Sequence, residues 1–576
     1  MTPEIVKRKI RQTHQLTQNL HPILNRIYLA RGVYDAAELD KRAEHLLPYT
    51  TLSGLNEAMS CLYDALSAQQ CIVVVGDFDA DGATSSALAV LALKTMGIKN
   101  IHYLVPNRFE YGYGLTPELV EVAKKFKPEL LITVDNGITC FSGVEAAKKA
   151  GIKVIVTDHH LPGSTLPAAD AIVNPNLSGD AFQSKNLAGV GVIFYVMLAF
   201  RAYLREKNWF VSQSIQEPNM IQFLDLVALG TVADVVPLDR NNRILVHLGL
   251  QRIRSGRARF GIKALLSVAG RNEERITAAD LAFAVAPRLN AAGRLNDMSV
   301  GIAGLLAENF DTALQIATQL NELNDERRTI ETDMQEQANE QLKQLSWHQI
   351  ESCPSGICLF NQHWHQGVIG ILASRIKDKL HRPVVAFALA NEHELKGSAR
   401  SIAGLHIRDI FQAIDAKQPG LITKFGGHAM AAGLQLPKNH LTRFSEAFAE
   451  EVTQHLTPNS LQRIIYSDGE LSEAEATLDL AQILRDAEPW GQAFPEPLFE
   501  GVFLLLEQRI VGGRHLKMKV CWQSGQKTFD AIAFNVDLND WPNHRCEQVN
   551  LVYKLDINEF NGRRSVQLMV EHITPC

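Results

Sequence analysis

The chain has 576 residues, 46% of them hydrophobic and 21% charged, with a formal net charge of −6. That length exceeds one core and predicts roughly two to four domains of an ordinary globular protein. So small a net charge excludes a molecule-wide polyanion-binding surface, and any nucleic-acid site must be a local patch. The polar, basic start MTPEIVKRKIRQTHQ lacks an apolar core, so no signal peptide is expected. The longest apolar stretch, about Leu187 to Phe200, is too short for a membrane span. The eight cysteines form no paired framework, and Cys353 with Cys358 lacks the partners of a zinc site. Reduced thiols and a cytoplasmic location are the expectation.

Residues 1–47 read as a helical accessory segment ending at LLPY. From about 70 to 175, short β-branched runs (CIVVV, IHYLV, LLITV, KVIVT) alternate with amphipathic helices. That pattern predicts an α/β unit with a parallel sheet, whose ligands bind at the carboxyl ends of the strands.

The first run leads into GDFDADG, with Asp77, Asp79 and Asp81 at alternate positions. An extended chain would aim all three carboxylates one way, and a divalent cation relieves their repulsion. The pattern also fits the start of an EF-hand loop, but the twelfth residue from Asp77 is Leu88 rather than the glutamate that loop needs. Further on, Asp135 follows LLITV, Asp158-His159-His160 follows VIVT, and Asp234 follows VALGTV. Four aspartates, each directly after an apolar run, predict one shared sheet edge. Carboxylates with imidazole and no thiolate suit Mg²⁺ or Mn²⁺ and the two-metal hydrolysis of a phosphoester.

The loop PNRFEYGYGL supplies Arg108 as a candidate phosphate fork, with Tyr111 and Tyr113 able to stack or pack. AVAPRLNAAGRLND places Arg288, Asn290 and Arg294 among small residues that allow close backbone approach, which suits nucleic-acid contact or support of the site. Asp311 to Leu345 lacks Gly and Pro and reads as one long helix or two. After it, GICLF, WHQGVIG, LKGSARSI and FGGHAMAAG combine strands with glycines beside basic or imidazole groups, a setting for anion contact by backbone N–H groups. From about 460, five short strand-like runs predict a small β-barrel. Its Arg509, Arg514, Lys517, Lys519 and Trp522 are candidate single-strand contacts.

GDFDADG, TVDNGI, TDHH and GTVADVVPL together resemble the motifs of the DHH phosphoesterase superfamily, and the added lobes resemble its RecJ family of single-strand-specific DNA exonucleases. The resemblance implies a DHH domain at 48–305, a connecting helix at 306–348, a DHHA1 domain at 349–457 and an OB-like barrel at 458–576, after the accessory segment 1–47. It implies that Asp77 and Asp79 hold one metal, that Asp81, His159 and Asp234 hold the second, and that Asp135 bridges both. Asp158 then orients a histidine, and His160 faces the phosphate or leaving group. Ser398, Arg400, Gly426, Gly427 and His428 would bind substrate phosphate, joined by His365. The implied activity is 5′ to 3′ removal of mononucleotides from single-stranded DNA in recombination and repair, by a monomer working with helicases and single-strand-binding protein. Two other classes compete. A phosphodiesterase or pyrophosphatase acting on small substrates needs no added barrel, and a non-catalytic replication scaffold needs no complete ligand set.

Overall fold

The structure is a computed structural model, and it describes residues 3–107, 111–346, 353–523, 525–538, 540–560 and 562–576. The chain divides into two compact units, Lys7–Asn321 with Tyr466–Cys576, and Glu322–Ile465 with the residues up to Val6. These units are coarser than the five segments expected from the sequence, because the barrel clusters with the parallel-sheet lobe. Among the described residues no helix is long and apolar enough to cross a membrane.

The amino-terminal segment is not the helical piece expected. Among its described residues it contains a strand, β1 (Glu4–Lys7), one helix, Pro22–Ala30, and two 3₁₀ turns, Ala36–Leu39 and Ala43–His45. Its order comes from tertiary contact. Tyr28 packs on Trp490 and Phe494, while Arg31 makes a two-pronged ion pair with Asp468 at 2.7 and 3.0 Å.

Strands β2 (Ile72–Val75), β3 (Ile101–Leu104), β4 (Leu130–Val134), β5 (Lys153–Thr157) and β6 (Ala171–Val173) form a parallel sheet in the order β3-β2-β4-β5-β6. IVVV and LLITV are buried along their whole length, as expected of strands covered on both faces. From β2 the chain steps first to one side and then to the other, so the strand order reverses at β2 and β4. Their carboxyl ends flank the crevice where such sheets bind ligands. After β6 the lobe is helical. The helix Gly189–Glu206 and the helix Leu224–Ala233 pack on Ala80–Met96, and Leu224–Ala233 is buried on every side. This last helix corrects one expectation, since VALGTV is helical and Asp234 caps its carboxyl end rather than following a strand. A short apolar run has no periodicity that separates a buried helix from a buried strand.

The other unit carries β7 (Ile357–Phe360), β8 (Val384–Leu389), β9 (Glu394–Arg400), β10 (Lys424–Gly427) and β11 (Ala431–Pro437), in the order β10-β11-β9-β8-β7. Its core gathers Phe387, Phe411, Phe444 and Phe448. The helix Phe310–Gln344 runs unbroken for 35 residues, its first turns in one unit and the rest in the other. Strand β12 (Ile464–Ser467) pairs with β1. Then β13 (Phe499–Val511), β14 (His515–Trp522), β15 (Phe529–Ala533), β16 (Gln548–Phe560) and β17 (Arg563–Pro575) close a barrel in the order β13-β14-β15-β17-β16, with β15 and β17 parallel.

Arg31 and Asp468 are each 1% exposed at the side chain. Removing Arg31 leaves the buried Asp468 charge only the more distant Arg8, 3.9 Å away, and the Leu498 N–H, so Arg31→Ala should destabilise the unit by about 3 kcal/mol. Denaturant unfolding followed by tryptophan fluorescence would show the earlier midpoint, and an unchanged midpoint would mean the pair contributes nothing to the fold.

Candidate metal centre

Strand β2 passes into the helix Ala80–Met96 through Gly76–Asp79. Asp79 is the N-cap, its Oδ1 accepting from the N–H groups of Asp81 at 2.9 Å and Gly82 at 3.0 Å. The three aspartates therefore do not share an extended face as expected. Asp77 lies in the turn, Asp79 caps the helix and Asp81 sits in its first turn, where the helix dipole favours negative charge. Close packing holds this turn. A Cβ on Gly82 would lie 2.4 Å from the Asp77 carbonyl oxygen, and one on Gly293 would lie 1.7 Å from that of Phe78.

Gly293 belongs to the helix Ala286–Leu295, and one turn earlier Asn290 accepts from the Ala80 N–H at 2.8 Å. Asn290 thus supports the aspartate turn instead of contacting substrate through that oxygen. Arg288, also expected to bind substrate, is 8% exposed and donates from Nη1 to the Ala284 carbonyl and from Nε to Asn321 Oδ1. Through these bonds it braces its helix.

Asp135, at the end of β4, has φ +61, a strained left-handed conformation for a non-glycine residue. Asn136 fixes it by donating to the Val75 carbonyl at 3.1 Å and the Val134 carbonyl at 2.9 Å, which ties the ends of β2 and β4 together. At Gly189 a Cβ would lie 2.5 Å from the Asp135 Cβ, and at Gly230 one would lie 2.8 Å from Asp81 Oδ1. Both oxygens of Asp81 accept backbone N–H groups at the start of the helix Gly189–Glu206, from Gly189 at 2.6 Å and Val190 at 3.0 Å. Asp158 Oδ1 accepts from the N–H of His159 and from Nδ1 of His160, both at 2.7 Å. The histidine it orients is therefore His160. Asn174 and Asn176 donate to the carbonyls of His160 and His159 at 2.8 and 2.6 Å. Neither asparagine nor Gly189 was singled out from the sequence. The NPN that follows the apolar AIV was the available signal.

Three sets of side chains each bring ligand atoms within 4.8 Å of one another: Asp77, Asp79 and Asp135; Asp81, His159 and Asp234; and Asp135, His159 and His160. His159 Nε2 lies 3.1 Å from Asp135 Oδ1 and 3.5 Å from Asp234 Oδ2. Burial first, then the neighbouring carboxylates Asp81 and Asp79, push Asp135 and Asp234 well above the ordinary carboxylate range. Burial and Asp79 push Asp81 up to about 7 despite its two backbone donors. For His160 burial opposes the cation, yet the Asp158 hydrogen bond and surrounding acids raise it to about 9. A cluster of this kind, with oxygen and imidazole donors only, fits hard divalent cations such as Mg²⁺ or Mn²⁺. Tyr113 reaches the cluster, its hydroxyl 3.4 Å from the Asp135 carbonyl and 3.5 Å from His160 Nε2, whereas Tyr111 packs against the sheet. Arg108 lies outside the described residues.

The second unit gathers anion-binding groups. Ser398 and Arg400 share one face of β9, while Leu395, Gly397 and Ala399 face the core. Arg400 Nη1 donates to Ser398 Oγ at 3.2 Å, and a Cβ on Gly370 in the first turn of the helix Ile369–Leu380 would lie 2.9 Å from Arg400 Nη2 and from Ser398 Oγ. Across the sheet Ser398 pairs with Gly433, and Gly433 pairs with Gly426, which has open space where a Cβ would stand. Gly427 has φ +136, and exposed His428 follows with its N–H on the Ala431 carbonyl. Burial lowers the Arg400 pKa, and among the described residues no carboxylate pairs with it. His365 Nδ1 accepts from the Gly367 N–H at 3.1 Å, and its carbonyl accepts from Val368 and Ile369. Those bonds shape the turn into the helix. On the barrel, Arg509 and Lys517 pair across β13 and β14, but Trp522 donates to the Leu471 carbonyl and packs on Phe503 and Phe529.

Three family models match the chain: the DHH family N-terminal domain at residues 71–231, the DHHA1 domain at 354–454 and the RecJ OB domain at 467–572. The single-stranded-DNA-specific exonuclease RecJ of Escherichia coli strain K12 is 54% identical over 572 residues, 99% of this chain and 99% of that protein. The chain belongs to the RecJ family. Its fold matches the crystal structure of RecJ from Thermus thermophilus in complex with Mn²⁺ at a TM-score of 0.80 and 28% identity, covering 100% of this chain and 80% of that one. The Mg²⁺ complex of RecJ from the same organism matches at 0.74 and 26%, covering 99% and 78%. The parallel-sheet lobe, mixed-sheet lobe and closed barrel described above are thus the RecJ family's DHH, DHHA1 and OB modules.

Carboxylates that bind protons more tightly folded than unfolded make stability fall as pH rises from about 4 through about 7. Metal-free protein should therefore melt lower at pH 8 than at pH 5, and Mn²⁺ should restore the loss. Asp135→Asn should raise the metal-free melting temperature at pH 8 and shrink the Mn²⁺ response. Differential scanning calorimetry checks both, and a lower metal-free melting temperature in the variant would contradict the charge-crowding account.

Proposed function

We infer that the chain is a divalent-metal-dependent exonuclease specific for single-stranded DNA, removing 5′-mononucleotides from the 5′ end. The observation that carries this reading is the set of five aspartates and two histidines drawn together where the sheet order reverses. The full-length likeness to RecJ proteins supports the DNA substrate. We assign catalysis to 48–305, terminal-phosphate capture to 349–457 and strand holding to 458–576, with 306–348 as connector and 1–47 as accessory.

Asp77, Asp79 and Asp135 would hold one Mn²⁺ or Mg²⁺, and Asp81, His159 and Asp234 the other. When bound, such a pair neutralises phosphoryl charge and lowers the pKa of water. Asp158 holds the Nδ1 proton of His160, leaving Nε2 to donate a proton towards the leaving 3′ oxygen. Arg400, Ser398, Gly426, Gly427 and His428 would receive the terminal phosphate through charge-assisted hydrogen bonds. Work with helicases and single-strand-binding protein, a monomeric state and a cytoplasmic location are the partner and location readings that accompany the family resemblance.

An oligonucleotide labelled separately at its 5′ and 3′ ends, beside a blunt duplex and a dinucleotide, tests the reading. Early release of the 5′ label as a mononucleotide, only with Mn²⁺ or Mg²⁺ and only from the single strand, is expected. Cleavage confined to the dinucleotide would move the function to small phosphodiesters. Asp135→Ala should abolish turnover while leaving part of the DNA binding, and Arg400→Ala should erase the distinction between 5′-phosphorylated and unphosphorylated ends. Turnover retained in the first variant would sink the two-metal scheme, and a distinction retained in the second would remove the anion site.

A further inference from the structure

Asp234 closes the helix Leu224–Ala233 with its N–H on the Gly230 carbonyl at 3.0 Å. The next residue, Val235, has φ +59 and is 61% exposed. A β-branched side chain strongly disfavours that conformation, which persists only where surrounding structure holds it. Its own side chain makes little of that structure, so the holding contacts must lie elsewhere.

They lie three residues on. The Leu238 N–H donates to the Gln492 carbonyl at 2.8 Å, and the Leu238 carbonyl accepts from Arg243 Nη1 at 3.1 Å. Asn242 Nδ2 donates to the Pro237 carbonyl at 3.0 Å. The Leu238 side chain is 3% exposed and packs so near Gly491 that a Cβ there would lie 2.8 Å from Leu238 Cδ1. The Arg243 guanidinium also lies over the Phe494 ring at 4.4 Å. Gly491 and Phe494 exchange two backbone hydrogen bonds, at 2.9 and 3.1 Å, which makes their turn rigid. That turn is the chain's approach to the barrel, five residues before β13 begins at Phe499.

We propose that Gly491–Phe494 and Arg243 form a clamp that positions Asp234 as a metal ligand, so that the seating of the barrel sets how tightly the second cation is held. The inference rests on Asp234 holding a cation. Gly491, Gln492, Leu238 and Arg243 are positioning residues, acting through a strained turn that relaxes when released. The barrel then has two tasks, holding DNA and completing the metal centre, and loosening it lowers metal affinity even with no DNA present.

The test measures Mn²⁺ affinity of the full-length protein by isothermal titration calorimetry without DNA. Arg243→Met and Gly491→Val should each weaken one Mn²⁺ site by about tenfold, the scale of losses for groups that orient metal ligands. The Mn²⁺ concentration giving half-maximal hydrolysis should rise by the same factor, with kcat recovered at saturating Mn²⁺. Glycine adopts the left-handed turn unaided, so the Arg243→Met effect should shrink in the Val235→Gly background, which simple unfolding damage would not do. Affinity within twofold of the parent for both clamp variants, or an undiminished Arg243→Met effect in the Val235→Gly background, would overturn the clamp. Asp234→Asn is measured alongside. If it too leaves Mn²⁺ binding intact, Asp234 is no ligand and the underlying site reading fails. If it weakens binding while the clamp variants do not, only the clamp fails.

Discussion

Repulsion among buried carboxylates organises this molecule. Asp77, Asp81, Asp135 and Asp158 are each at most 5% exposed, and Asp79 and Asp234 stand beside them. Burial alone makes an ionised carboxylate costly, and several together are costlier still. The fold answers in two ways. Asp158 is held low by backbone and imidazole hydrogen bonds, whereas Asp135 and Asp234 are left raised far above their usual range and Asp81 stays raised to about 7 even with two backbone donors. A dense positive charge removes that remaining cost without protonating the carboxylates, which is why the cluster is suited to divalent cations.

Such crowding requires backbones to approach more closely than side chains allow. Gly82, Gly189, Gly230 and Gly293 each stand where a Cβ would come within 2.8 Å of a neighbouring atom of the cluster or its supports. Asn136, Asn174, Asn176 and Asn290 then fix the carbonyls and N–H groups of the turns that present the ligands. Left-handed backbone occurs at Asp135, beside the bonds of Asn136, and at Val235, beside Asp234. Conformations of that kind are held by surroundings rather than by local preference.

The second unit uses the opposite charge in the same manner. Arg400 is desolvated beside a hydroxyl, a helix N-terminus and open glycine backbone, an arrangement that gains from an anion as the aspartate cluster gains from a cation. In the barrel the division of labour differs from the expected one. Trp522 is half-buried against Phe503 and Phe529 and exposed Lys519 pairs with Glu507, while Arg509 and Arg514 are exposed and Lys517 is half-buried.

Much of the fold was legible without coordinates. The β-branched runs marked the parallel strands, and glycines beside basic residues marked the second lobe. Five spaced runs marked a barrel, and the aspartates after apolar runs marked the chemistry. These features are local, since period, β-branching and the residue following a strand are set within a few positions of the chain. Three things were decided only by tertiary structure. VALGTV became a helix because burial on all sides erases the periodicity that would have declared it. The first 47 residues took their irregular course because contacts such as Arg31 with Asp468 lie more than four hundred residues apart in sequence. Arg288 and Asn290 bond to Asn321 and Ala80, neighbours that no spacing rule reveals. Which residues carry charge was written in the chain, but which of them face a ligand and which merely hold the others depended on packing, because a side chain's partners are chosen by the whole fold.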